Sequence, residues 1–233
     1  MRLHCGTSGF AYDGWTGPFY PADLPDDERL QFYGSRLDTV EINNTFYQMP
    51  KRPLMERWAT QVPEGFRFAV KAPKQITHIK KLKDCGDAVQ FLVQAVGGLG
   101  VRQGPLLFQL PPFLKQDVGL LRDFCAALPP GTRAAFEFRH ASWEDAATEQ
   151  VLRDHGVALC LADMEDGDTP ALRATADWGY LRLRRPDYSD AELTAWVARV
   201  RAMPWQEVFV FFKHEDAGLA PQLATRYRAG FGT

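Results

Sequence analysis

The chain has 233 residues, 45% of them hydrophobic and 24% charged, with a net charge of −2. This length suits one globular domain spanning residues 1–233, with enough apolar material for a large core. The near-neutral charge excludes a global electrostatic pull toward nucleic acid or membrane, so any anion-binding argument rests on local clusters. No apolar run approaches the ~18 residues that span a bilayer. The first candidate strand begins at residue 3, so no signal peptide is expected. The four cysteines, Cys5, Cys85, Cys125 and Cys160, form no C-x-x-C pair. Cys5 and Cys160 fall inside apolar runs, where cysteine is a small buried hydrophobe, as expected of a cytoplasmic protein.

Eight candidate strands follow in chain order: residues 3–7, 39–43, 66–71, 105–110, 134–139, 157–163, 178–184 and 207–213. Most are almost wholly apolar, as strands buried on both faces must be. Helical signals lie between most of them. Residues 26–36 begin with Asp26, Asp27 and Glu28, acids suited to the positive end of a helix. Residues 53–61 start at Pro53, a good first-turn residue. Residues 86–98 and 117–128 show apolar spacing of three to four. Ser142 with Asp145 opens the next helix and Gly156 closes it. Ser189 and Glu192 form a capping-box pattern for residues 190–202, and residues 219–229 make the last helix. Residues 164–177 are the exception. They carry Asp166-Gly167-Asp168 and Pro170 and no helical period, which predicts an irregular unit between strands 6 and 7. The alternation implies a single (β/α)8 TIM-type barrel, with a doubly wound open sheet as the competing topology.

Seven of the strands stop at a polar residue: Glu41, Lys71, Gln109, Glu137, Asp163, Arg182 and Lys213. Together they describe a polar floor at one barrel mouth, the end at which such barrels place their chemistry. Period-2 alternation sends Val40, Ile42, Phe68, Val70, Phe136, Phe138, Leu181 and Leu183 toward the helices. It sends Glu41, Asn43, Lys71, Gln109, Glu137, Arg139, Arg182, Arg184 and Lys213 toward the axis. In residues 157–163 either register fits.

The segments GTSGF (6–10), TVEINNTFYQMP (39–50), FRFAVKAPKQITH (66–78), FQLPP (108–112) and EFRHASW (137–143) resemble the DUF72, or YecE-like, family. The resemblance covers nearly the whole chain. It implies a TIM-type barrel and carries no established reaction. It also singles out Glu41, Asn43, Lys71, His78, Gln109, Glu137, Arg139, His140 and Trp143 as this chain's versions of the family's signature positions. Two places depart from that pattern. Arg184-Arg185 follows Arg182-Leu183 where a His-Gly pair is typical, and Lys213-His214-Glu215-Asp216 replaces a typical Asn-Asn-Asp ending. Both departures fall at the mouth, which allows a different substrate.

The chemistry expected is that of an enzyme for a small phosphorylated or carboxylated molecule. Glu41 and Glu137 are the candidate catalytic acid and base, one ionised by Lys71 or Arg182 and the other raised by burial. Lys71, Arg139, Arg182, Arg184, Lys213, Asn43, Gln109, His140 and Trp143 are candidate substrate- or anion-binding residues, because guanidinium forks and ammonium groups match oxyanions. Ser8 lies outside any nucleophile-elbow pattern. No cofactor is expected, since H-x-H and H-E-x-x-H are absent. A divalent metal gathered by His140, His214, Glu215, Asp216 and Asp163 is the lesser alternative. Residues 71–83 are free of acids, so Lys74, His78, Lys80, Lys81 and Lys83 are candidate nucleic-acid contacts in an endonuclease-like alternative. A third reading is a non-catalytic scaffold in which Glu41 pairs with Lys71 and Glu137 with Arg182.

Overall fold

The computed structural model describes residues 1–165, 169–215 and 217–232. All eight predicted strands form, as β1 Arg2–Ser8, β2 Thr39–Ile42, β3 Arg67–Lys71, β4 Gln103–Gln109, β5 Ala134–Glu137, β6 Ala158–Asp163, β7 Trp178–Leu183 and β8 Glu207–Phe212. They pair in chain order, all parallel, and β1 closes on β8. The fold is therefore a (β/α)8 barrel, and the open-sheet alternative is excluded by that closure.

The helices are α1 Arg29–Arg36, α2 Arg52–Thr60, α3 Gly86–Val96, α4 Val118–Ala126, α5 Ala146–Asp154, α6 Asp190–Arg201 and α7 Leu219–Phe231. The acids Asp26, Asp27 and Glu28 form a short 3-10 turn that leads into α1. Pro53 takes an initial position of α2, and Ser189 with Glu192 makes the reciprocal capping box of α6. Asp145 alone caps α5, through Ala147 N–H; Ser142 instead serves the Gln116 amide and the His140 ring. Gly156 closes that unit at a φ of 62°. Among the described residues no helix separates β6 from β7, so the expected irregular unit stands there. Asp166, Gly167 and Asp168 lie outside the described residues, as does Asp216. No helix among the described residues is long and apolar enough to cross a membrane.

Two apolar layers follow from strand alternation. Val40, Ile42, Phe68, Val70, Phe108, Phe136, Leu181, Val210 and Phe212 pack outward under the helices. Ala69, Leu107, Ala135, Ala158, Cys160, Tyr180, Phe209 and Phe211 fill the barrel interior. Small residues on β3, β5 and β6 thus face large aromatics on β7 and β8. The ambiguous register of β6 is settled by pairing, since Cys160 aligns with Tyr180 and Ala162 with Arg182. Ala162 therefore shares the inward face and Asp163 points out. At the N-terminal end His4 is structural, bridging Asp38 at 3.4 Å and Glu207 at 2.8 Å and stacking on Phe209.

Gly6 of β1 is demanded by close approach. A Cβ there would lie 1.9 Å from the backbone oxygen of Thr39, which Tyr33 Oη holds by a 2.8 Å hydrogen bond. Gly97, by contrast, has open space. Gly6→Ala is expected to lower stability by about 1–3 kcal/mol or more through overpacking. Gly97→Ala should stay within ~0.5 kcal/mol of the parent. Urea denaturation midpoints test the pair.

Candidate active site

The inward faces of five strands each deliver one polar side chain to the same mouth. Glu41 comes from β2, Lys71 from β3, Gln109 from β4, Glu137 from β5 and Arg182 from β7. Arg182 is the centre. Its Nη2 donates to Glu41 Oε1 at 2.8 Å and its Nη1 to Glu137 Oε2 at 2.7 Å. The three side chains are essentially solvent-free, at 2%, 0% and 1% exposure. An arrangement so dry persists only if the remaining lone pairs are also satisfied. Glu41 meets that condition in full. It accepts hydrogen bonds from Ser8 Oγ at 2.7 Å, Asn43 Nδ2 at 3.0 Å and Tyr180 Oη at 2.6 Å, besides Arg182. Glu137 pairs with Arg139 as well as Arg182.

These contacts set the protonation states. Burial opposes the charge on Glu41, but Arg182 and the three hydrogen bonds outweigh it and hold its pKa at about 2. Burial likewise opposes ionisation of Glu137, and the charges of Arg182 and Arg139 push its pKa down. Two expectations are corrected here. Neither Glu41 nor Glu137 ends above its ordinary value, because one guanidinium serves both carboxylates. Glu41 pairs with Arg182 rather than Lys71, because Arg182 and the three hydrogen-bonding side chains occupy its oxygens. Ser8, donating to Glu41 and 2% exposed, is committed to the same arrangement.

Above this floor opens a cavity of about 540 Å³. Asn43, Lys71, Gln109, Arg139, Arg182, Arg184 and Lys213 of the predicted set line it, whereas Glu41 and Glu137 lie beneath. Lys71 Nζ donates to Gln109 Oε1 at 2.8 Å and lies 4.4 Å from the centroid of Phe46. Burial, and then the charge on Arg182, lower its pKa to about 8. Arg184 is depressed by the same two causes, in the same order. Among the described residues Lys71 and Arg184 have no carboxylate within ion-pair distance. Among the described residues Lys213 reaches only Glu215, at 3.7 Å. Five cations, Lys71, Arg139, Arg182, Arg184 and Lys213, thus face three described carboxylates, Glu41, Glu137 and Glu215.

Other predicted residues go elsewhere. His140 and Trp143 line a neighbouring cavity, and Arg139 and Met164 form the wall it shares with the central one. The Trp143 ring stacks on Phe138 and its Nε1 donates to Leu114 O at 2.8 Å, which turns it away from the mouth. Asp163 leaves the polar floor, because it points outward to Tyr188 Oη at 2.9 Å and Arg185 Nε at 3.0 Å. Lys74, Lys80, Lys81 and Lys83 are exposed around a π-helical turn, Gln75–Ile79, while His78 is half-buried with its ring edge-on to Phe46. Among the described residues no group of three or more His, Cys, Asp or Glu is placed to hold a metal ion. Tyr180, Asn44 and Met164 were missing from the sequence expectation. Tyr180 had a usable signal, since it shares the parity of Arg182 on β7.

The family described as "Protein of unknown function DUF72" matches residues 4–233. The chain belongs to the DUF72 family. The UPF0759 protein YecE of Escherichia coli K12 is 30% identical over 140 residues, covering 58% of this chain and 52% of YecE, so the match spans about half that relative's length. The UPF0759 protein YunF of Bacillus subtilis 168 is 25% identical, with 89% of each chain covered. A DUF72 family crystal structure from Thermotoga maritima superposes over the whole of both chains with a TM-score of 0.88 at 26% identity. One from Enterococcus faecalis shares the fold, with a TM-score of 0.84 at 18% identity over all of this chain and 96% of that one. The two departures from the DUF72 pattern meet in space. Arg184 enters the cavity, Arg185 pairs with Asp163, and His214 Nε2 contacts the Arg185 carbonyl.

The clamp yields a pH prediction. Glu41 has a folded pKa below its unfolded value, so its stabilisation is present at neutral pH and is lost as pH falls from about 4.5 to about 2. Arg182→Met strands a buried carboxylate and should cost ~3–5 kcal/mol at neutral pH. The pKa of Glu41 then rises above its unfolded value, so the variant gains stability as pH falls through that raised value. Urea midpoints across about pH 3–8 should therefore show opposite slopes for parent and variant on the acid side.

Proposed function

We propose that this DUF72 chain is an enzyme for a small phosphorylated or carboxylated substrate, bound at the C-terminal mouth of the barrel. The observation that carries this reading is the pair of half-buried cations, Lys71 and Arg184, that line the cavity without a carboxylate partner among the described residues. Desolvated, unmatched cations attract an oxyanion more strongly than solvated ones, because the local dielectric is low. Arg182 is committed to Glu41 and Glu137, so Arg184, Lys213 and Lys71 are the anion holders and Arg182 contributes its field. Arg139, itself paired with Glu137, borders the site. Lys71 moves the proton, since burial and the charge on Arg182 bring its pKa to about 8. Glu41 and Glu137 act in support, by positioning Arg182.

Sulfate titration calorimetry tests this. Binding is expected at low ionic strength and should weaken ~10-fold or more in Arg184→Met, as for loss of a charge-assisted hydrogen bond. Sulfate keeps its charge over the range, so affinity should fall as pH rises through about 8, where Lys71 loses its proton. That step should vanish in Lys71→Met. Absence of sulfate and phosphate binding to the parent would overturn the reading.

A second reading has its own observation. Tyr47 and Phe113 are 76% and 64% exposed, and Lys74 and Lys81 sit over their rings at 5.8 and 5.3 Å. Exposed rings beside ammonium groups suit single-stranded nucleic acid. Anisotropy of a labelled oligonucleotide should then show salt-dependent binding that weakens when Lys80, Lys81 and Lys83 become alanine. No binding at low salt disposes of it.

A further inference from the structure

Lys71 is held as a counter-cation would not be. Its Nζ donates to a neutral amide oxygen, Gln109 Oε1, which Arg182 Nη1 also approaches at 3.5 Å. The alternative acceptors are spent. Glu41 is taken by Ser8, Asn43, Tyr180 and Arg182, and Glu137 by Arg182 and Arg139. One side of the ammonium rests against Phe46. Burial, with Arg182 and Arg184 against Glu41 and Glu137, brings its pKa to about 8, so the neutral amine is populated near neutrality. A desolvated lysine beside another cation is the arrangement that activates an amine as a nucleophile.

We propose that Lys71 forms a Schiff base with the carbonyl carbon of a small anionic aldehyde or ketone whose carboxylate or phosphate is held by Arg184 and Lys213. The inference rests on the anion-site reading above and names the reacting group of its substrate. The Nζ lone pair attacks the carbonyl carbon, and the C=O π pair moves to oxygen, which takes a proton. The nitrogen then expels that oxygen as water. One amine, one carbonyl and one proton give one iminium and one water, with no change of oxidation state. The iminium carries the same charge as the ammonium it replaces, so the electrostatics of the floor are conserved.

Reductive trapping tests the proposal. The full chain is incubated with borohydride and either pyruvate, a 2-oxo carboxylate, or dihydroxyacetone phosphate, a phosphorylated ketone, and then mapped by peptide mass spectrometry. Lys71 should gain the mass of the carbonyl compound less one oxygen. At about pH 7 it should do so ~10-fold or more faster than Lys74, Lys80, Lys81 and Lys83, which are exposed and lack its desolvation. Whichever probe reacts tells carboxylate from phosphate recognition. Gln109→Glu puts a carboxylate beside Nζ and should suppress trapping ~10-fold at that pH and restore it in more alkaline buffer. Sulfate, at concentrations that saturate the site, should protect Lys71. Labelling of Lys71 no faster than the exposed lysines with both probes overturns the Schiff base. If sulfate still binds in that case, the anion site stands; if it does not, both readings fall.

Discussion

The clamp of Arg182 between Glu41 and Glu137 is the contact on which the rest of the site depends. It joins β2, β5 and β7 across the barrel lumen, where no backbone hydrogen bond can reach. Removing three charges from water costs several kcal/mol each, so the clamp persists because Arg182 meets both carboxylates and accessory donors satisfy Glu41. Tyr180, Ser8 and Asn43 complete the shell of Glu41. The outward apolar layer stabilises the barrel as a whole; the clamp determines where the cations at the mouth stand.

What the clamp leaves over is as consequential as what it binds. One guanidinium absorbs two carboxylates, so Lys71 and Arg184 are left to face the cavity without acids of their own among the described residues. Half-buried cations without acid partners among the described residues are locally destabilising, a cost that is tolerated at functional sites. Gln109 sharpens it, since an amide oxygen satisfies the lysine's hydrogen bond without neutralising its charge. The cavity floor therefore combines fixed charge from the clamp with a single adjustable one on β3.

The departures from the DUF72 pattern at the ends of β7 and β8 act on the same region. Arg184 and Lys213 bring charge into the cavity, while Arg185 and His214 knit the two following loops together through Asp163 and the Arg185 carbonyl. Asp163 is thus recruited to loop support.

Eight apolar runs, their helical spacers and the polar residues at their ends are legible from residue types alone, because burial on both faces and period-2 alternation constrain composition directly. The capping box at Ser189 and the inward direction of Glu41, Lys71, Glu137 and Arg182 follow from those rules. Pairing partners do not. Whether Glu41 meets Lys71 or Arg182 depends on barrel closure, strand tilt and side-chain reach, which bring β7 opposite β2 from 141 positions away. The register of β6 was equally open, since Ala158, Cys160 and Ala162 are small enough for either face. His140 and Trp143 lie away from the mouth because β5 ends at Glu137 and Trp143 is held by Phe138 and the Leu114 carbonyl. Local chemistry therefore specifies the barrel and the polar ring at its mouth, whereas charge partners and protonation states arise only when remote strands share one dry interior.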